Sequence, residues 1–210
     1  MEVQKKGTTT IGLVCKDGVV IAADRRATAG NLIVDKRAKK VNILTEDIAV
    51  TIAGSVSDAQ FIMKLLKAEV QLKTVRTNKK PSMKEVANML GSMLYSNIRQ
   101  PSMLPGIAHF ILAGRDKEGV HLYDLFPDGS ITEIPDFVGS GSGSVMAYGL
   151  LEARYDQNMT CEQAIPLAVQ AINVALQRDA FSGNGVDVVK VTESGVEKVY
   201  EQALLAEVKK

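Results

Sequence analysis

The sequence predicts an α+β fold, a four-layer αββα sandwich of two antiparallel sheets flanked by helix pairs. Three observations lead there. Strand-forming segments open, divide and close the chain, and most are joined by short turns such as Lys16-Asp17-Gly18 and Pro127-Asp128-Gly129, which favours antiparallel pairing. Two blocks between them carry apolar residues at helical spacing. The helices come in pairs rather than alternating singly with strands, which argues against repeating βαβ units.

Taken in order, residues 8–15 are rich in β-branched side chains and read as a strand, and Asp17-Gly18 supplies the positive φ of a hairpin turn before a return strand over 19–24. Strand patterns continue over 32–34, 40–44 and 48–53, ending at Gly54. Ser55 or Ser57 then caps a helix bearing Phe61, Leu65, Leu66, Ala68 and Leu72 at helical spacing. Pro81 stands in the first turn of a second helix whose stripe is Val86, Met89, Leu90, Met93 and Leu94. Residues 97–106, with Pro101 and Pro105, form a loop, and strands resume over 107–113, 120–125 and 131–138. The glycine–serine run 139–144 leads into a helix over 145–155. Thr160 and Gln163 make a capping box for another helix, with Ile165, Ala168, Ile172 and Leu176 inward. Strands over 186–192 and 196–200 close the chain around Glu193-Ser194-Gly195. No repeat or low-complexity linker divides it, so one domain is expected.

A length of 210 residues allows one substantial core. The 25 basic and 24 acidic side chains leave a net charge of +1, which points to neither nucleic acid nor an anionic membrane. No apolar run approaches the ~20 residues needed to span a bilayer. Cys15 and Cys161 lie far apart, without a CxxC or companion histidine spacing, which argues against a metal site or redox pair and fits a reducing cytosol. Residues 1–7 lack the apolar core of a secretory signal.

Gly7-Thr8 opens the chemistry. A hydroxyl on the first residue of a chain has a base built in, because an α-amino group titrates at roughly 7.7–8.0 whereas a lysine amine sits at about 10.4. Removal of residues 1–7 is the condition, and Gly7 presents no side chain to hinder attack by Thr8 on the preceding carbonyl. Threonine runs are also common strand formers, so the pair alone is a weak signal. A three-residue hairpin loop places Asp24 opposite Thr10 and diagonal to Thr8 on one face; a two-residue loop shifts that pairing by one. Lys36, Arg37, Lys39 and Lys40 supply cations for a buried carboxylate. Taken singly, Asp24-Arg25-Arg26 reads better as a solvated strand end. Gly54, where a strand meets a helix, can offer an oxyanion donor and let a peptide approach closely. The run 139–144 fails the phosphate-loop patterns, because Ser144 stands where the last glycine is required. His109 and His121 sit within strand patterns with no nucleophile elbow, which favours core or surface roles.

Together these pieces resemble the proteasome β-type subunits, specifically the archaeal kind. The resemblance rests on Gly7-Thr8-Thr9-Thr10-Ile11-Gly12, Asp24-Arg25-Arg26-Ala27-Thr28, Lys39-Lys40, Ala53-Gly54, Gly141-Ser142-Gly143-Ser144 with Tyr148-Gly149, and Gln177-Arg178-Asp179-Ala180 with Ser182-Gly183. It implies an N-terminal nucleophile hydrolase fold and a threonine endopeptidase without cofactor. In that reading residues 1–7 are a propeptide removed by autocleavage between Gly7 and Thr8, and 8–210 form the catalytic domain. Thr8 resembles the nucleophile, Asp24 and Lys40 its charged partners, and Gly54 the oxyanion donor. Ser142, Asp179 and Ser182 resemble the cluster that holds the threonine amine. Thr28 resembles the residue whose backbone pairs with an extended substrate. Ala27, Ala38, Ile52 and Val56 resemble the specificity wall, whose small or apolar character implies cleavage after bulky apolar residues.

The resemblance further implies a cytoplasmic particle in which this chain shares a seven-membered ring with other β-type subunits. That ring stacks on α-type subunits, and a regulatory ATPase acting through the α ring feeds in polypeptide substrates; no nucleic acid, membrane or metal is implied. A bacterial HslV-like peptidase and a catalytically silent ring subunit are the alternatives. The Ser142/Asp179/Ser182 set weighs against the first, and the presence of Gly7, Thr8 and Lys40 against the second.

Overall fold

The structure, a computed structural model, describes residues 7–102 and 106–203. Segment 1–6 of the expected propeptide, Pro105 and the last residues of the expected domain, 204–210, lie outside the described residues. The chain begins with strands β1 (Thr10–Cys15), β2 (Gly18–Asp24), β3 (Ala27–Ala29), β4 (Leu32–Asp35), β5 (Val41–Ile43) and β6 (Ile48–Gly54). Helices α1 (Val56–Thr77) and α2 (Met83–Ile98) follow, then strands β7 (Ala108–Arg115), β8 (Val120–Leu125), β9 (Ile131–Glu133) and β10 (Phe137–Ser140). Helices α3 (Ser144–Arg154) and α4 (Cys161–Arg178) precede the closing strands β11 (Gly185–Thr192) and β12 (Gly195–Ala203).

The strands form two five-stranded antiparallel sheets, ordered β10-β1-β2-β11-β12 and β5-β6-β7-β8-β9, with β3-β4 as a separate ribbon. Three apolar layers hold them together. Ile62, Leu66, Leu90 and Leu94 of α1 and α2 pack on Val50, Phe110 and Leu112 of the second sheet. Leu151, Ala168 and Ile172 of α3 and α4 pack on Ile11, Leu13 and Val188 of the first. Between the sheets lie Val19, Ile21, Ile111, Leu122 and Val189. Helix pair, sheet, sheet, helix pair is the αββα order expected from the sequence. Both faces of each sheet are covered, which is why β2 and β6 are almost continuously buried rather than alternating.

Several local expectations are corrected. Thr10 faces Ala23 and Cys15 faces Gly18, so the hairpin loop holds two residues, Lys16 and Asp17, and Asp24 stands one register step from the expected partner Thr10. The expected strand over 131–138 is two strands in different sheets. Pro135, with no N–H to donate, lies in the crossing between them. Pro81 precedes helix α2 rather than lying in its first turn, where a capping box joins Ser82 and Glu85. Of the five residues expected to form the inward face of α1, only Leu66 is buried; Phe61, Leu65, Ala68 and Leu72 are exposed, and Ala59, Ile62, Met63 and Val70 face the core instead. The expected capping box of α4 forms between Thr160 and Gln163.

Candidate active site

The hairpin register decides what surrounds Thr8. The Asp24 backbone N–H reaches the Thr9 carbonyl at 3.1 Å, so these two residues stand opposite each other. The Asp24 side chain is wholly buried, and so is most of Arg25, contrary to a solvated strand end. Its carboxylate is fully occupied: Oδ1 accepts from the Thr9 N–H (2.9 Å) and Lys40 Nζ (2.7 Å), while Oδ2 accepts from the N–H groups of Arg26 (3.0 Å) and Gly183 (2.9 Å). A desolvated carboxylate is tolerated because donors meet it on both oxygens.

Lys40 enters from the head of β5, where its carbonyl accepts the Ile52 N–H at 3.0 Å. Burial pushes its ammonium pKa below the usual lysine value, and the opposing pull of Asp24 does not restore it. Lys36, Arg37 and Lys39 are exposed on the segment between β4 and β5. Among the four expected cations, Lys40 is the one that pairs with Asp24.

Thr8 is buried and joined to Gly7, so its nitrogen is a peptide amide. Its hydroxyl donates to the Gly7 carbonyl oxygen at 2.7 Å. The amide points the other way, to Ser142 Oγ at 3.4 Å. Ser142 Oγ and Ser182 Oγ each donate to Asp179 Oδ2 at 2.6 Å. A hydroxyl has one hydrogen, so Ser142 can only accept from Thr8, and the 2.7 Å contact between Thr9 Oγ1 and Ser182 Oγ must run from threonine to serine. Two donor chains therefore converge on one carboxylate oxygen. Asp179 sits at the C-cap of α4 and Ser142 in the turn before α3, so the two helix ends of the first sheet's cover build this cluster.

The turn that carries Ser142 depends on its glycines. Gly141 has φ 90°, and a Cβ there would overlap the Thr8 carbonyl oxygen. The Gly143 N–H donates to that same oxygen at 3.3 Å. At the end of β6 in the second sheet, Gly54 has φ 100°, and a Cβ would overlap the Ile107 carbonyl, so the strand-to-helix corner demands glycine.

A cleft of about 720 Å³ joins these groups. Gly7, Thr8, Lys40 and Gly54 line it, as do all five expected substrate contacts, Ala27, Thr28, Ala38, Ile52 and Val56. Thr28 lies on β3, which pairs only with β4 among the described residues. Arg26, Asp35, Arg37 and Lys39 also line the cleft, so its rim is charged although the expected wall is not. Asp24, Ser142, Asp179 and Ser182 stand behind Thr8 and Lys40, holding them, rather than on the cleft surface. Sequence reasoning missed Thr9, the Gly183 N–H, and Phe181, whose side chain occupies the space a Cβ on Gly7 would need. The Ser182-Gly183 pair after Asp179 was the available signal for the first two.

A threonine at the head of the first strand of an αββα sandwich, opening on a cleft at the sheet ends, defines the N-terminal nucleophile hydrolase class of fold. Residues 4–191 match the family model described as "Proteasome subunit". The chain is 47% identical over 188 residues to the proteasome subunit beta of Ferroglobus placidus, covering 90% of this chain and 88% of that one. The proteasome subunit beta of Methanocaldococcus fervens is 46% identical over 197 residues, 93% and 86% of the two chains, and that of Archaeoglobus fulgidus is 44% identical over 188 residues, 90% and 86%. The chain belongs to the proteasome subunit family and is of the β type. No described helix is long and apolar enough to cross a membrane.

Proposed function

We propose that this β-type subunit is the precursor of a threonine endopeptidase, which cuts its own Gly7–Thr8 bond and then cleaves unfolded polypeptides after bulky apolar residues. The observation that carries this reading is the opposed pair of bonds at Thr8, with the hydroxyl 2.7 Å from the Gly7 carbonyl oxygen and the amide held by Ser142. Thr8 Oγ1 attacks the Gly7 carbonyl carbon, the C–N bond breaks, and the amide nitrogen takes up a proton as it becomes an amine beside Ser142 and Asp179. Water then hydrolyses the resulting ester and frees the hydroxyl.

In the mature chain the same hydroxyl attacks a substrate carbonyl, with the Gly54 N–H as oxyanion donor. The freed amine, at roughly 7.7–8.0 when unperturbed, serves as base near neutral pH. Lys40, held by Asp24, stabilises negative charge on Oγ1. An extended substrate adds at Thr28 to the edge of β3 that is unpaired among the described residues, and its apolar side chain enters the space among Ala27, Ala38, Ile52 and Val56. The subunit works in a cytoplasmic particle with other β-type subunits in a seven-membered ring, α-type rings outside it, and a regulatory ATPase delivering polypeptides.

Intact-mass and N-terminal analysis after assembly with α-type subunits tests this reading. The wild type should begin at Thr8 and the Thr8→Ala variant should retain residues 1–7. Peptidase activity that survives in Thr8→Ala would overturn it.

A further inference from the structure

We infer that His109 is a positioning residue for this chemistry, tying the turn that grips Thr8 to the strand end that carries Gly54. The inference rests on the threonine-peptidase reading above. His109 Nδ1 lies 2.7 Å from Ser140 Oγ and its Nε2 lies 2.6 Å from Asp124 Oδ1. The three side chains come from β7, β8 and β10, so the chain of bonds crosses from the second sheet to the first. Ser140 and Asp124 are each 4% exposed, and the imidazole packs against Phe126 with ring centroids 4.6 Å apart and the planes tilted by 32°.

Serine, histidine and aspartate in a row suggest a second hydrolase, but neither Ser140 nor His109 lines the cleft and Ser140 has no access for a substrate. What the bridge controls is position. Ser140 faces Thr10 across β1 and is followed directly by Gly141, Ser142 and Gly143, the turn that meets the Thr8 carbonyl and amide. His109 faces Ala53, the residue before Gly54, across β6. One imidazole therefore links the roots of the nucleophile side and the oxyanion side, between which the reacting carbonyl must sit. In the tautomer where Nε2 donates to Asp124, Nδ1 accepts the Ser140 hydroxyl, so both ring nitrogens and the buried serine and aspartate oxygens are paired. A displacement of about 1 Å between reacting groups can cost on the order of 10²-fold in rate.

The test uses the full chain, assembled as above, with a leucine-ended reporter peptide. Ser140→Ala removes one oxygen and His109→Phe keeps the ring but neither bond. Each should lower kcat about 10–100-fold with KM within about twofold, and should slow Gly7–Thr8 cleavage to match. Because the three act as one bridge, the double variant should be no slower than His109→Phe alone. Asp124→Asn, whose amide still bonds to Nε2, should keep far more activity than Asp124→Ala. Should His109→Phe fail to assemble, Ser140→Ala and the Asp124 pair carry the test. Wild-type kcat in Ser140→Ala, multiplicative losses in the double variant, or equal losses in the two Asp124 variants would overturn the inference. Activity in a Thr8→Ala control would instead sink the peptidase reading.

Discussion

Lys40 Nζ lies 2.7 Å from Asp24 Oδ1, and both side chains are almost entirely withdrawn from water. Neither charge is tolerable there alone. Removing one partner of a buried pair typically costs about 3–5 kcal/mol, because the other is left uncompensated. Asp24→Ala and Lys40→Ala should each lose stability of that order in thermal or denaturant melts. Both should also leave residues 1–7 attached. Lys40→Ala that processes normally would remove Lys40 from the mechanism.

The Gly141 φ of 90° and the crowding of its missing side chain against Thr8 make a separate prediction. Gly141→Ala forces either backbone strain, of order 1–3 kcal/mol, or a retreat of the turn from the Thr8 carbonyl. Unprocessed precursor should accumulate, visible by mass, in a chain that still assembles. Processing at the wild-type rate would show that the turn does not set the geometry of the Gly7–Thr8 bond.

Asp179 Oδ2 holds both serine hydroxyls, so Asp179→Asn disturbs two bonds with a change of one atom. Steady-state kinetics on the small fraction that matures should show kcat down about 10²–10⁴-fold, the range of general-base assistance, with little change in KM. A change confined to KM would assign Asp179 to substrate binding instead.

Cleft composition predicts selectivity. Ala27, Ala38, Ile52 and Val56 place no charge on the expected wall, so reporters ending in leucine or tyrosine should be cut at least about tenfold faster than one ending in arginine. The reverse order would reject the assignment of the wall.

Far from the cleft, Asp47 is buried between Lys80 and Arg115. Burial alone raises its pKa, but the hydrogen bonds from Lys80 and Arg115 outweigh it and hold the carboxyl below its ordinary value. The folded state thus binds the proton less readily than the unfolded chain. The pair contributes stability above the unfolded pKa near 3.9, and that contribution is lost as pH falls through the lower folded value. Lys80 is mostly exposed, so a discounted loss on the order of 1–2 kcal/mol is expected for Asp47→Asn at pH 7, shrinking as pH falls below the ordinary carboxylate range. A stability difference that does not change with pH would disprove the linkage.

Histidine 109 marks one boundary of what the sequence disclosed. Its strand position was legible; its bridge to Ser140 and Asp124 was not, because the three residues come from separate strands in two sheets and no spacing rule joins them. The hairpin register failed for a related reason. Asp17-Gly18 announced the turn without stating its length, and one residue of loop moves every facing pair. On α1, helical spacing was correct, yet apolar residues lie on more than one side, so the pattern alone could not say which side meets the sheet.

Local chemistry in the chain itself determined the order of strands and helices, the capping box at Thr160, and a hydroxyl placed directly after a glycine. Those depend on neighbours within a few positions, and a linear pattern carries them. Only the tertiary structure decided that Asp24 meets Thr9, that Lys40 alone of its basic run reaches that carboxylate, and that Asp179 gathers Ser142 and Ser182. Pairings around this site span up to 173 positions, as in the bond between the Thr9 and Ser182 hydroxyls. They are set by how two sheets stack and by which buried polar groups must find partners once water is gone.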